Sequence, residues 1–129
     1  MRRKLGLLIA FILGVGLATA LAQKSKEATV VDPDVHHVVL ENEHVRVFEA
    51  RAGAGARSPM HSHPPFVLAS LGSARLKLTL PDGSKEILDL RPGQVLWMEN
   101  AEHSWELLAG NAHVIGVEVK SAARPAAAK

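Results

Sequence analysis

The sequence predicts an all-β fold, a single antiparallel β-barrel or jelly roll. Apolar residues alternate or cluster in runs of four to eight, turn residues punctuate those runs at short intervals, and no segment keeps a helical period for long. Eight such runs in a short chain are what a closed antiparallel barrel or jelly roll needs. The runs are Val38–Glu41, Val45–Arg51, Phe66–Leu71, Ala74–Leu80, Lys85–Leu90, Val95–Glu99, Ser104–Leu108 and His113–Lys120. The firmest is Arg75-Leu-Lys-Leu-Thr-Leu80, which alternates strictly and runs into Pro81-Asp-Gly83. Proline presets the first turn residue and glycine admits a positive φ, so a hairpin to Lys85–Leu90 is expected. Arg91-Pro-Gly93 is a second turn, placed just before Val95-Leu-Trp-Met98.

The barrel domain is expected over residues 36–120, preceded by a polar linker over residues 23–35 and followed by an Ala-rich tail over residues 121–129. The first 22 residues read as something else. Met1-Arg-Arg-Lys4 is basic, Leu5 to Ala22 is uncharged, and Ala20-Leu-Ala22 has the small residues of a cleavage site. This is the layout of a cleavable signal peptide, so a periplasmic or secreted protein is expected. The 18 uncharged residues would also span a bilayer, which makes the protein membrane-anchored if the leader stays uncleaved. The chain has no cysteine, so the fold must stand without disulfides even in an oxidising compartment.

Three of the 15 basic residues, Arg2, Arg3 and Lys4, lie in the leader, leaving 12 against 13 acidic residues. The rest of the chain is therefore close to neutral, it has no Lys/Arg cluster, and no nucleic-acid partner is expected. There is no G-x-S-x-G and no phosphate-cradling glycine loop, so nucleophilic serine or cysteine chemistry has nothing to rest on.

The seven histidines are the chemical signal. His61 and His63 are two residues apart, which on a strand puts both imidazoles on one face, where they can converge on one ion if a third ligand arrives from elsewhere. His36 and His37 are adjacent and point to opposite faces of a strand, which disfavours their chelating one ion. His44 follows a turn composition and is expected at the surface. His113 shares strand phase with Ile115, Val117 and Val119 and reads as a core or rim histidine.

Gly55-x5-His61-x-His63 and Gly93-x5-Glu99-x3-His103 resemble the two motifs of the small single-domain cupins of the RmlC-like superfamily. The resemblance covers about Val38 to Lys120. It implies a small β-barrel, a divalent metal in the barrel mouth, and pairing into a homodimer. Two departures stand out. The glutamate that follows the second histidine of the first motif is replaced by Val67 or Leu68, and the proline of the second motif is replaced by Glu99. What the resemblance leaves is a metal set of His61, His63 and His103, with no carboxylate. Three imidazoles accept zinc, iron, copper, nickel or manganese.

Lacking an anionic ligand, such a centre favours a small anionic organic molecule as its partner. Arg57, near the expected mouth, is a candidate to hold that anion, Glu99 a candidate general base or outer-sphere residue, and Trp105 a candidate pocket wall. Trp97 reads as core packing. The reaction is open. An enzyme acting on a small molecule, a non-catalytic carrier or sensor, and a metal-free barrel that binds a partner all fit these residues.

Overall fold

A computed structural model describes residues 26–99 and 101–121, so the leader, the start of the expected linker and residues 122–129 lie outside the described residues. The described residues form one short helix and nine strands: α1 (Ala28–Val31), β1 (His36–Glu41), β2 (Val45–Ala52), β3 (Arg57–His63), β4 (Phe66–Ser70), β5 (Ala74–Thr79), β6 (Lys85–Leu90), β7 (Val95–Met98), β8 (Ala101–Gly110) and β9 (Ala112–Val119). They form a five-stranded sheet in the order β1-β2-β9-β4-β7 and a four-stranded sheet in the order β3-β8-β5-β6. Every strand pairing is antiparallel. Among the described residues no helix is long and apolar enough to cross a membrane.

Alternation decides what goes inside. β5 buries Ala74, Leu76 and Leu78 while Arg75 and Lys77 point out, and β4 buries Phe66, Leu68 and Ser70. These meet Phe48, Ala50, Leu90, Leu107 and Val114 in one core between the sheets. The Pro81-Asp82-Gly83 turn forms as its residues require. Gly83 has φ 85°, and Asp82 accepts hydrogen bonds from the Ser84 amide and hydroxyl at 2.9 and 2.6 Å. Gly116 matters for a different reason. A Cβ there would run into the Phe48 ring, so the absence of a side chain is what lets the far edge of that ring approach β9.

Three expectations change. The strand β3 was not among the eight runs, because Pro59 interrupts it and proline cannot donate to a ladder. It is tolerated because β3 is a sheet edge and its pairing with β8 shifts register between Ser58 and His61. Trp97, expected in the core, is 53% exposed on the outer face of the edge strand β7, whose neighbours Leu96 and Met98 take the inward positions. Residues 26–35, expected within a polar linker, pack onto the barrel. Ala28 is fully buried, Glu27 bridges to Ser62, and the Ser62 amide donates to the Lys26 carbonyl.

Candidate metal centre

Four histidines converge inside one end of the barrel, from three strands. His61 and His63 project from the same face of β3, His103 lies directly across from His61 on β8, and His36 arrives from the edge of the other sheet. All four are buried, and His61 is completely so. The His61 ring centroid is 5.0 Å from that of His36, 4.9 Å from His63 and 4.9 Å from His103. His36, His61 and His63 can each place one ring nitrogen so that all three lie within 4.8 Å of one another.

The supporting contacts fix which nitrogens these are. His61 Nδ1 lies 2.7 Å from the Pro59 carbonyl and 3.2 Å from the Ser58 hydroxyl, which itself donates to Asp32 Oδ2 at 2.6 Å. His63 Nδ1 lies 2.8 Å from Glu118 Oε1, and His36 Nδ1 lies 3.3 Å from the Asp32 carbonyl. Carbonyl and carboxylate oxygens only accept, so each Nδ1 carries the hydrogen and each Nε2 carries a free lone pair. Hydrogen-bonded outer groups of this kind are how proteins orient metal-ligating imidazoles. The His61 Nε2 is buried and has no hydrogen-bond partner among the described residues. A buried acceptor in that state is costly and calls for an explanation, and a metal ion is the ligand that neutral imidazole nitrogens suit.

Burial sets the protonation of the cluster. Desolvation, reinforced by mutual repulsion among the rings, pushes His61 down to about 4 and His103 down to about 3, and it also lowers His36. These three imidazoles are therefore neutral at physiological pH, the form that binds metal. Asp32 is not the only charged group beside the rings. Glu118, 1% exposed on β9, receives hydrogen bonds from His63 and from Arg46 Nε at 2.6 Å. Burial alone would raise its carboxyl, yet those two donors hold it below the ordinary carboxylate range. Arg46 continues to Glu27 Oε2 at 2.8 Å.

Of the residues singled out in the sequence, His61, His63 and His103 come together. His36 joins them although adjacency to His37 argued against the pair. Alternation does send the two to opposite faces, which buries His36 and leaves His37 in solvent. Trp105 lines the same interior, 6.5 Å from His36 between ring centroids. Arg57 stands elsewhere, 74% exposed and paired to Glu106 at 3.3 Å. Glu99 is exposed and accepts from the Trp97 indole at 2.8 Å, away from the histidines. Glu118 escaped the sequence reading because β9 has apolar residues in both phases. Val114, Gly116 and Glu118 face inward, and Ile115 and Val117 face outward with His113, which pairs with Glu49 at 2.8 Å. A carboxylate inside an otherwise apolar run was the one available signal.

Leu68, at a position where the cupin glutamate would stand, is buried and faces an interior cavity beside the histidines, while Val67 points outward.

The two-sheet barrel matches solved structures. A cupin domain from Bordetella pertussis Tohama I superposes with a TM-score of 0.61 at 23% identity, covering 77% of this chain and 99% of that one. The fold is that of a cupin. An RmlC-like cupin with a double-stranded β-helix fold from Methanocaldococcus jannaschii gives 0.52 at 17% identity, covering 66% of this chain and 78% of its own. A cupin superfamily protein from Desulfitobacterium hafniense DCB-2 gives 0.51 at 11% identity, covering 67% and 77%. No protein-family model and no curated protein matches the chain. At these identities the likeness concerns the cupin fold, and the chemistry has to be argued from the site itself.

Proposed function

We propose that this cupin barrel binds one divalent transition-metal ion through the Nε2 atoms of His36, His61 and His63, with His103 beside them as a fourth imidazole. On this reading the ion presents an open position to a small organic molecule in the adjoining cavity. The observation that carries the reading is the fully buried, unpartnered Nε2 of His61, framed by imidazoles whose Nδ1 atoms are already committed. Such a bound ion would supply Lewis acidity toward an oxygen donor. The protein's own part is to keep His36, His61 and His103 neutral and to fix the orientation of the rings through Asp32, Ser58, Pro59 and Glu118.

The test is metal analysis of protein purified without a polyhistidine tag. One ion per chain in the wild type and none in a His36→Ala/His61→Ala double variant is the expected result. No stoichiometric metal under any divalent supplementation would refute the proposal. Single His36→Ala and His103→Ala variants then apportion the ligands, because the residue that truly coordinates costs the larger share of affinity. Product formation from a bound small molecule separates an enzyme from a carrier.

Export is part of the proposal and rests on the leader's layout. N-terminal sequencing of the mature protein, with Gln23 expected first, checks it. A homodimer is proposed as well, on the outer face of the five-stranded sheet. There Leu40, Val47, Val117, Val67 and Trp97 stand in register as one apolar row across all five strands. A monomer in sedimentation at micromolar concentration would refute it.

A further inference from the structure

The cavity beside the histidines restricts what the site can take. It measures about 70 Å³, His36, His63 and His103 form its polar end, and apart from the Trp105 indole and the Met98 thioether the rest of its lining is aliphatic or phenyl. Among the described residues no arginine, lysine, carboxylate, amide or hydroxyl side chain is part of that lining. A second polar group on a ligand would be buried here without a partner, which weakens binding by tenfold or more. On a scale where ~10–15 Å³ accommodates one water-sized body, the space holds about five carbon-sized atoms. Charge points the same way. The Glu118 carboxylate behind His63 is already paired with Arg46 at 2.6 Å, so a divalent ion held by imidazoles would keep positive charge for an anionic ligand head to meet.

Resting on the metal reading above, we infer that the site binds a short-chain monoanion, a single oxygen-donor head such as a carboxylate on an unsubstituted hydrocarbon body of about two or three carbons. The head meets the ion at the histidine end, and the body lies among Leu76, Leu78 and Leu88. Chain length and the absence of further polar groups, not a cationic side chain, set the specificity. Arg57 has no part in it, being outside the cavity and paired to Glu106.

The experiment uses the full mature protein loaded with cobalt(II), whose visible spectrum reports the coordination sphere. Straight-chain monocarboxylates from acetate to octanoate are titrated in, with 3-hydroxybutyrate and succinate as polar comparators. Affinity is expected to rise about fourfold per methylene, the value for burying one such group, and to stop rising at about butyrate. Both comparators should bind at least tenfold more weakly than butyrate. Leu88→Ala should move the optimum to a longer chain and Leu88→Phe to a shorter one, each with cobalt stoichiometry unchanged. A length-independent affinity, or succinate binding best, with cobalt in place would overturn this inference alone and mark the cavity as a packing void. Failure to take up cobalt would overturn the metal reading and this inference with it.

Discussion

Acid should unfold the metal-free protein early, and the size of the effect follows from two buried imidazoles. His61 and His103 are held at about 4 and about 3, against 6.5 for a free side chain. Both folded values are depressed, so as the pH falls the unfolded chain takes up protons first. The stability these neutral rings contribute is complete above about pH 7 and is lost from 6.5 downward until the folded values are reached. At pH 5 each ring accounts for about 2 kcal/mol, from a linkage slope of about 1.4 kcal/mol per pH unit over 1.5 units. Together they remove about 4 kcal/mol, and His36 shifts in the same direction. Against a total of ~5–15 kcal/mol for a small domain, this is a large share. At about 4–8 °C per kcal/mol, Tm should fall by on the order of 20 °C.

The assay is thermal and urea unfolding of chelator-stripped protein from pH 7.5 to 5. His103→Leu should flatten the profile by about one proton's worth of slope, and saturating zinc should raise stability across the range while adding its own proton competition. A metal-free stability that changes by less than about 1 kcal/mol between pH 7.5 and 5 would refute the burial and neutrality of the cluster.

Other consequences can be checked separately. Glu118→Gln keeps the shape but removes the charge behind His63, and it should weaken zinc affinity by ~10–100-fold, read by competition with a chromophoric chelator. Arg46→Met leaves the buried Glu118 carboxylate with His63 alone, and a loss of about 3 kcal/mol in urea unfolding is expected, with metal stoichiometry retained. Gly116→Ala drives a methyl into the Phe48 ring, which stacks on His63 at 5.3 Å. It should cost about 1–3 kcal/mol and broaden the His63 resonances in NMR, whereas the exposed Gly53→Ala should be near neutral. Ser58→Ala removes the link between Asp32 and His61 and should reduce metal affinity with little change in fold.

Much of this architecture is written into local pattern. The strict alternation of Arg75–Leu80 and the Pro81-Asp82-Gly83 turn specify a hairpin without help from the rest of the chain, and the structure has it at Ala74–Thr79 and Lys85–Leu90. The spacing of His61 and His63 likewise specifies a shared face. What pattern could not settle was phase and partnership. β9 is apolar on both faces, so alternation alone cannot choose Glu118 as the inward residue; the choice is made by Arg46 and His63 waiting for it. His36 was obscured because two adjacent histidines cannot serve one ion together, whereas one of them can join a set assembled by other strands. β3 was obscured by Pro59, whose penalty vanishes only at an edge, and edges are set by topology.

The histidines bring together parts of the barrel that no ladder of hydrogen bonds joins. His36 sits on β1, the outermost strand of one sheet, and His61 and His63 sit on β3, the outermost strand of the other. An ion ligated from both would tie these two margins together across the side that residues 26–35 cover. In a chain without cysteine, this gives metal availability the role that oxidation plays in disulfide-linked proteins. Amide protons of β1 and β3 should exchange fast in the stripped protein and slowly in the loaded one, while those of the β5–β6 hairpin at the far margin barely respond.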